Sequence, residues 1–160
     1  MTRQGSRRQA RVYALQALYH VDHAGVGAQP SLNALWSTLV EGEGIDGERP
    51  PESDEVEFAQ RLVRGVSDHR ETLDALIESC STNWRVRRMP VVDRNILRLA
   101  AFELRHCEDI PGTVAVNEAV ELAKQFGGEE TRSFVNGIVD RMGRQLGRLG
   151  EGGRRRPGGD

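Results

Sequence analysis

The stretch Val91–Leu104, VVDRNILRLAAFEL, is the most apolar in the chain, and its reading decides the fold. At about 100° per residue, Ile96, Leu97, Leu99, Ala100, Ala101, Phe102 and Leu104 cover nearly the whole circumference of a helix. A helix with one apolar stripe lies on a core, whereas one that is apolar all round lies inside it. This segment is therefore expected at the centre of a helical bundle. Asp93 can cap its start, with Val92 and Leu97 at hydrophobic-staple positions, and the Asp109, Pro111, Gly112 cluster breaks it.

The same period extends in both directions. Downstream, Thr113 opens a helix with Val116, Ala119, Val120, Ala123 and Phe126 inward, stopped at Gly127. A last helix carries Phe134, Val135, Ile138, Val139, Met142 and Leu146. Upstream, Asp68 and Glu71 have capping-box spacing before Leu73, Leu76, Ile77 and Cys80. Another helix spans about Asp54–Ser67, and a short one runs from Ser31 to Val40. The first is capped by Ser6 and buries Ala10, Ala14, Ala17, Leu18 and Val21. The expectation is an all-α fold of about seven helices, two small helical subdomains forming one compact bundle over residues 1–149. Its N-terminal helical part covers about 6–40, an acidic loop 41–53, and a C-terminal bundle about 54–149. Residues 150–160 (GEGGRRRPGGD) read as a disordered tail.

Composition bounds the function. The 160 residues carry a net charge of -2, which on totals alone argues against nucleic acid. The distribution says otherwise. Arg3, Arg7, Arg8 and Arg11 stand in the first eleven residues without an acid, while eight acids crowd residues 41–57 against Arg49 alone. Local field governs phosphate contact, so the N-terminal helix is the candidate nucleic-acid element. Arg8, Arg11, Leu15 and Tyr19 fall within about 80° on that helix. Guanidinium forks beside an exposed aromatic suit single-stranded RNA, by gripping phosphate and stacking an unpaired base. The competing reading is a solvated helix face with an amphipathic tyrosine. Arg94, Arg98 and Arg105 form a second basic strip, for which salt bridges are the simpler explanation.

Catalytic equipment is missing from the sequence. His20 and His23 supply two ligands where zinc needs more, and Glu103-x-x-His106 lacks the second copy a di-iron bundle requires. Cys80 and Cys107 form no CxxC, and no nucleophile elbow, Walker loop or dinucleotide fingerprint occurs. No enzyme activity, metal or cofactor is expected. No run approaches the roughly 20 apolar residues of a membrane span, and the basic N-terminus lacks a signal peptide's apolar core, so a cytoplasmic protein is expected.

Three blocks carry a family likeness. RRQARVYALQALYHVD (Arg7–Asp22), MPVVDRNILRLAAFEL (Met89–Leu104) and VAVNEAVELAKQFGGEETRSFVNGIVDRM (Val114–Met142) resemble, in this order, the NusB family of bacterial transcription antitermination factors. The resemblance implies two helical subdomains without enzyme activity, binding the boxA element of ribosomal RNA operon transcripts together with the ribosomal protein NusE. It further implies assembly with NusA, NusG and RNA polymerase. The family's RNA-facing positions map to Arg7, Arg8, Arg11, Gln16 and Tyr19, and beyond the first helix to Arg98, Glu130 and Phe134. Asp93 corresponds to an acidic position in the family's contact with NusE. Gln9 interrupts the arginine run, and the acidic loop and Arg154–Arg156 lie outside the family pattern. The alternatives are an RNA-targeting module for ribosomal RNA processing or modification, and a protein adaptor acting through its acidic surface.

Overall fold

The computed structural model describes residues 3–41 and 50–149. Among them stand α1 (Arg3–Ala24), α2 (Ala28–Glu41), α3 (Ser53–Asp68), α4 (Arg70–Cys80), α5 (Val91–His106) and α6 (Gly112–Gln145), with a 3-10 turn at Val86–Arg88 and no strand. The all-α expectation holds, with six helices in place of seven. The two expected after Thr113 run on as α6, but Gly128, at φ 88° and ψ −172°, breaks the helical path. The interruption thus falls one residue beyond the expected stop at Gly127. Only a residue without a Cβ takes that backbone conformation readily. Residues 42–49 of the acidic stretch and the tail from 150 lie outside the described residues.

The chain divides into two units, Met1–Asp68 and His69–Asp160. The division falls after α3, not at the acidic stretch, because the apolar face of α3 is spent on α1. Phe58, Ala59, Leu62, Val63 and Val66 are buried there, as are Ala10, Ala14, Ala17 and Leu18 of α1. The Ser31 hydroxyl fastens α2 to α1 by donating to the Ala17 carbonyl at 2.8 Å. Tyr13 meets Trp36 edge-on at 5.7 Å. Ser6 lies inside α1 and is buried, so it does not cap the helix. At the start of α3, the buried Glu55 carboxylate accepts from the Glu52 N–H at 3.0 Å, which satisfies one amide of the first turn.

In the second unit α4 and α6 pack on α5. Helix α5 is buried from Asn95 to Leu104 without interruption, as its apolar circumference requires. Its polar side chains therefore need partners inside the protein. Arg98 makes a two-pronged ion pair with Asp74 of α4, Nε to Oδ1 at 2.8 Å and Nη2 to Oδ2 at 3.0 Å. Its Nη1 donates to Asn95 Oδ1 at 3.2 Å. The exposed strip expected of Arg94, Arg98 and Arg105 is thereby interrupted at Arg98. Pro90 holds the cap position of α5, so Asp93 sits within the first turn instead of capping it. Asp93 is buried and accepts from the Thr131 hydroxyl at 3.1 Å. Burial pushes its carboxyl above the usual range, partly opposed by that hydrogen bond.

The Asp68–Glu71 capping box does not form. His69 occupies the cap position of α4 with no side-chain cap bond, and Thr72 donates to the His69 carbonyl at 3.0 Å. At the other end of α4, Arg141 Nε donates to the Cys80 carbonyl at 2.8 Å. Arg148, just past α6, donates to the Glu103 and Leu104 carbonyls in the last turn of α5 and to the Ile110 carbonyl in the loop that follows. The chain passes so close that a Cβ at Gly112 would strike the Arg148 carbonyl.

Two stability predictions follow from α5. Asp74→Ala removes the carboxylate from the Arg98 guanidinium, which is 4% exposed, and is expected to destabilise the protein by about 2 kcal/mol in urea unfolding. Asp93→Asn tests the raised carboxyl. Because the folded state favours the proton, Asp93 contributes most below its unfolded value near 3.8, and that contribution is lost as pH rises through the folded value. Wild type is expected to lose ground against Asp93→Asn as pH climbs from about 4; a constant difference would contradict this.

Candidate nucleic-acid interface

The outer face of α1 is set by what its inner face buries. Arg8, Gln16, Tyr19 and His23 are exposed and Val12 is half-buried, and the five share an arc of about 80°. Arg11 and Leu15, expected on the same exposed stripe as Arg8 and Tyr19, are instead buried at 2% and 4% exposure. The solvent-facing stripe is rotated away from them, toward Gln16 and His23. The reason is α3, which covers the side of α1 that carries Arg11. Tyr19 is 43% exposed and lies nearly parallel to His23, ring centres 5.8 Å apart. Together they make an aromatic ledge that ends the arginine-bearing face.

Arg7 and Arg11 reach the ring of Phe58 on α3, with guanidinium carbons 4.6 and 5.4 Å from its centre. Arg61, one turn along α3, reaches the same ring at 5.7 Å. Cation–π attraction holds such groups over an aromatic face. Beside them opens a cavity of about 270 Å³ lined by Ser6, Arg7, Asp54, Glu57, Phe58 and Arg61. Arg7 is half-buried here, Arg8 stands in solvent, and Arg11 is part of the packing.

The remaining expected residues belong to the second unit. Asp93, Glu130 and Phe134 come together with Trp84, Pro90 and Thr131 around a cavity of about 370 Å³. Trp84, 49% exposed, meets Phe134 edge-on at 6.2 Å. Arg98 does not join them. It was expected to face RNA, but its guanidinium is enclosed by Asp74 and Asn95. Sequence reasoning missed Phe58, Arg61 and Trp84. A signal existed for Trp84, an aromatic among polar residues directly before Arg85, Arg87 and Arg88.

The lesser candidates separate. His20 Nδ1 lies 3.2 Å from the Ser31 hydroxyl, while His23 stacks on Tyr19. Glu103 is buried, whereas His106 is exposed and stacks on His69 with ring centres 4.1 Å apart. Among the described residues no three His, Cys, Asp or Glu side chains are grouped to hold a metal, and no helix is long and apolar enough to cross a membrane.

Comparisons with known proteins agree with this architecture. The NusB family model matches residues 8–144. The transcription antitermination protein NusB of Myxococcus xanthus is 48% identical over 138 residues, covering 86% of this chain and 94% of its own. A NusB structure from T. maritima superposes with a TM-score of 0.74 at 34% identity, over 87% of this chain and 91% of that one. A structure of antitermination factors NusB and NusE in complex with dsRNA matches with a TM-score of 0.74 at 27% identity, covering 88% and 98%. With its central α5, its Gly128 break and its match over nearly the whole helical region, this chain belongs to the NusB family of transcription antitermination proteins.

Proposed function

We propose that this chain is an RNA-binding antitermination factor that contacts boxA RNA of ribosomal RNA operon transcripts together with NusE. The observation that carries the reading is the α1 face, where Arg8, Gln16 and Tyr19 stand exposed on one arc. Arg8 supplies charge to a phosphate, Gln16 offers donor and acceptor to a base edge, and Tyr19 offers a ring on which an unstacked base rests. Arg7, held over Phe58 about 100° round α1 from Arg8, adds its positive charge to the local field. Arg11 supports the reading indirectly, since its packing on Phe58 fixes the rotation of α1. Arg98 likewise acts through the fold, not through contact. The NusB–NusE–dsRNA assembly of a structural relative supports a joint RNA and NusE role.

In the same reading the second cavity is the protein contact. Asp93 and Glu130 bring two carboxyl groups to it, which disfavours phosphate and suits a basic protein such as a ribosomal subunit protein. Asp93 then meets NusE, while Phe134, with Glu130 beside it, offers a ring to a base of the RNA. The assembled factor acts with NusA, NusG and RNA polymerase in the cytoplasm. No catalytic step belongs to it, because the work is to hold RNA and a partner in one complex.

Two substitutions separate the roles on α1. Arg8→Ala is expected to weaken boxA RNA binding and to lower the slope of log affinity against log salt by about one. Arg11→Ala is expected to lower stability first, and an unchanged urea midpoint would contradict its structural role. Tyr19→Ala is expected to cost about 1–3 kcal/mol of RNA affinity in a filter or fluorescence titration, with and without NusE. Unchanged affinity in both Arg8→Ala and Tyr19→Ala would overturn the assignment of this face.

A further inference from the structure

A groove of about 210 Å³ opens where α2 lies along α1, at the edge of the exposed arc opposite Arg7. Gln16 forms its lip and belongs to that arc, and the half-buried His20 stands about 40° farther round the helix. Ser31 of α2 is fully buried, and its hydroxyl donates to the Ala17 carbonyl at 2.8 Å. The His20 Nδ1 atom, 3.2 Å from that hydroxyl oxygen, is therefore the donor to it. This holds the neutral imidazole in one tautomer, with Nε2 a bare acceptor. Neither that nitrogen nor the Gln16 amide has a hydrogen-bond partner among the described residues. We infer that the groove receives one base of the bound RNA, an adenine or a cytosine, and that His20 Nε2 accepts a hydrogen bond from its exocyclic amine. The inference rests on the RNA-binding reading of α1 and extends that face to α2.

Lining, size and hydrogen-bond direction support it. Ala17, Ala34 and Leu35 give the groove apolar walls, which suit the flat face of a neutral base and not a hydrated phosphate. Thr38, also at the wall, spends its hydroxyl proton on the Ala34 carbonyl at 3.0 Å. The polar groups left to read a ligand are thus the Gln16 amide and His20 Nε2. The space lies below the range of about 300–1,000 Å³ that encloses drug-sized ligands, and it suits a single base entering from the arc. Gln16 and Tyr19 are three residues apart and so adjacent on the helix surface, which puts the groove beside the ring that stacks the neighbouring base. An exocyclic amine has two N–H groups. One donates to Gln16 Oε1 and the other to His20 Nε2, while the Gln16 N–H donates to the ring nitrogen beside the amine. Adenine and cytosine both carry an amine beside an accepting ring nitrogen. Uracil, and guanine at the equivalent edge, present a carbonyl there, whose oxygen would face the His20 lone pair. The groove therefore selects against them.

The test is a titration of boxA RNA with the full chain, in which each adenine is replaced in turn by purine riboside, which lacks the amine, and each cytosine by uridine. Wild type is expected to lose about tenfold in affinity at one position. His20→Ala is expected to bind the unmodified RNA several-fold more weakly and to feel that replacement less. Ala34→Leu, a change on the exposed side of α2, fills the groove without touching the Ser31 bond to Ala17. It is expected to lose about tenfold in affinity and to ignore the replacement. Circular dichroism and urea midpoints check that both variants keep the fold, and a scan of single 2′-deoxy replacements tests the ribose as occupant. If His20→Ala and Ala34→Leu bind as wild type with the same base sensitivity while Arg8→Ala and Tyr19→Ala weaken binding, the groove assignment falls and the α1 reading stands. If His20→Ala ignores one 2′-deoxy replacement that weakens wild type, and every base replacement remains additive with it, the imidazole meets ribose and the base assignment is overturned. If none of the variants changes affinity, both readings fall.

Discussion

Helix α5 has no side to turn to water, and the second unit is built around that constraint. A helix apolar on every face must be enclosed by others, and any polar group it carries must be satisfied within the enclosure. Arg98 shows the consequence. Its charge lies inside the unit because Asp74, on the preceding helix, reaches it with both carboxylate oxygens. The pair ties α4 to α5 at a fixed rotation, since a bidentate fork tolerates little twist. In the first turn of α5, Asp93 ties α6 by accepting a hydrogen bond from Thr131. Two polar ties thus set the rotation of its neighbours about a core that, as a smooth apolar rod, would specify rotation poorly.

The first unit solves a related problem with an aromatic ring. Three arginines of α1 and α3 gather around Phe58, so cationic side chains are held in place over an aromatic face. The arrangement divides the arginines by role. Arg11 packs, Arg7 sits at the rim and Arg8 faces solvent, although the three lie within a few residues of each other. Basic content alone says nothing of that division. It arises from the 100° step of the helix and from the side on which α3 lies.

Much of this was legible in the residue pattern, and the exceptions share a cause. The burial of α5 follows from its own side chains, and the break near Gly127 and Gly128 from glycine's freedom at positive φ. Features that depend on a distant partner were not legible. Periodicity placed Arg8, Arg11, Leu15 and Tyr19 on one stripe, but the edge of the buried face depends on α3, some forty residues later. Arg98 read as exposed because Asp74 is 24 positions away. The capping box at Asp68 failed because α3 runs through Asp68 itself, leaving His69 to begin α4. The cavity at Asp93 needed Trp84 and Phe134 brought together from segments 50 residues apart, which no local pattern reveals.

The Arg148 clasp bears on the order in which the protein is completed during synthesis. The guanidinium that covers the Leu104 and Ile110 carbonyls belongs to one of the last described residues to leave the ribosome. Helix α5 is made well before its enclosure, and its apolar surface waits for α6 and then for Arg148. Within the first unit, α1, α2 and α3 have one another to pack against once residue 68 is made. A nascent chain therefore presents its arginine-bearing helix already seated on α3 while the second unit is still being assembled. The interval when α5 is bare is the time at which this chain most depends on protection from aggregation.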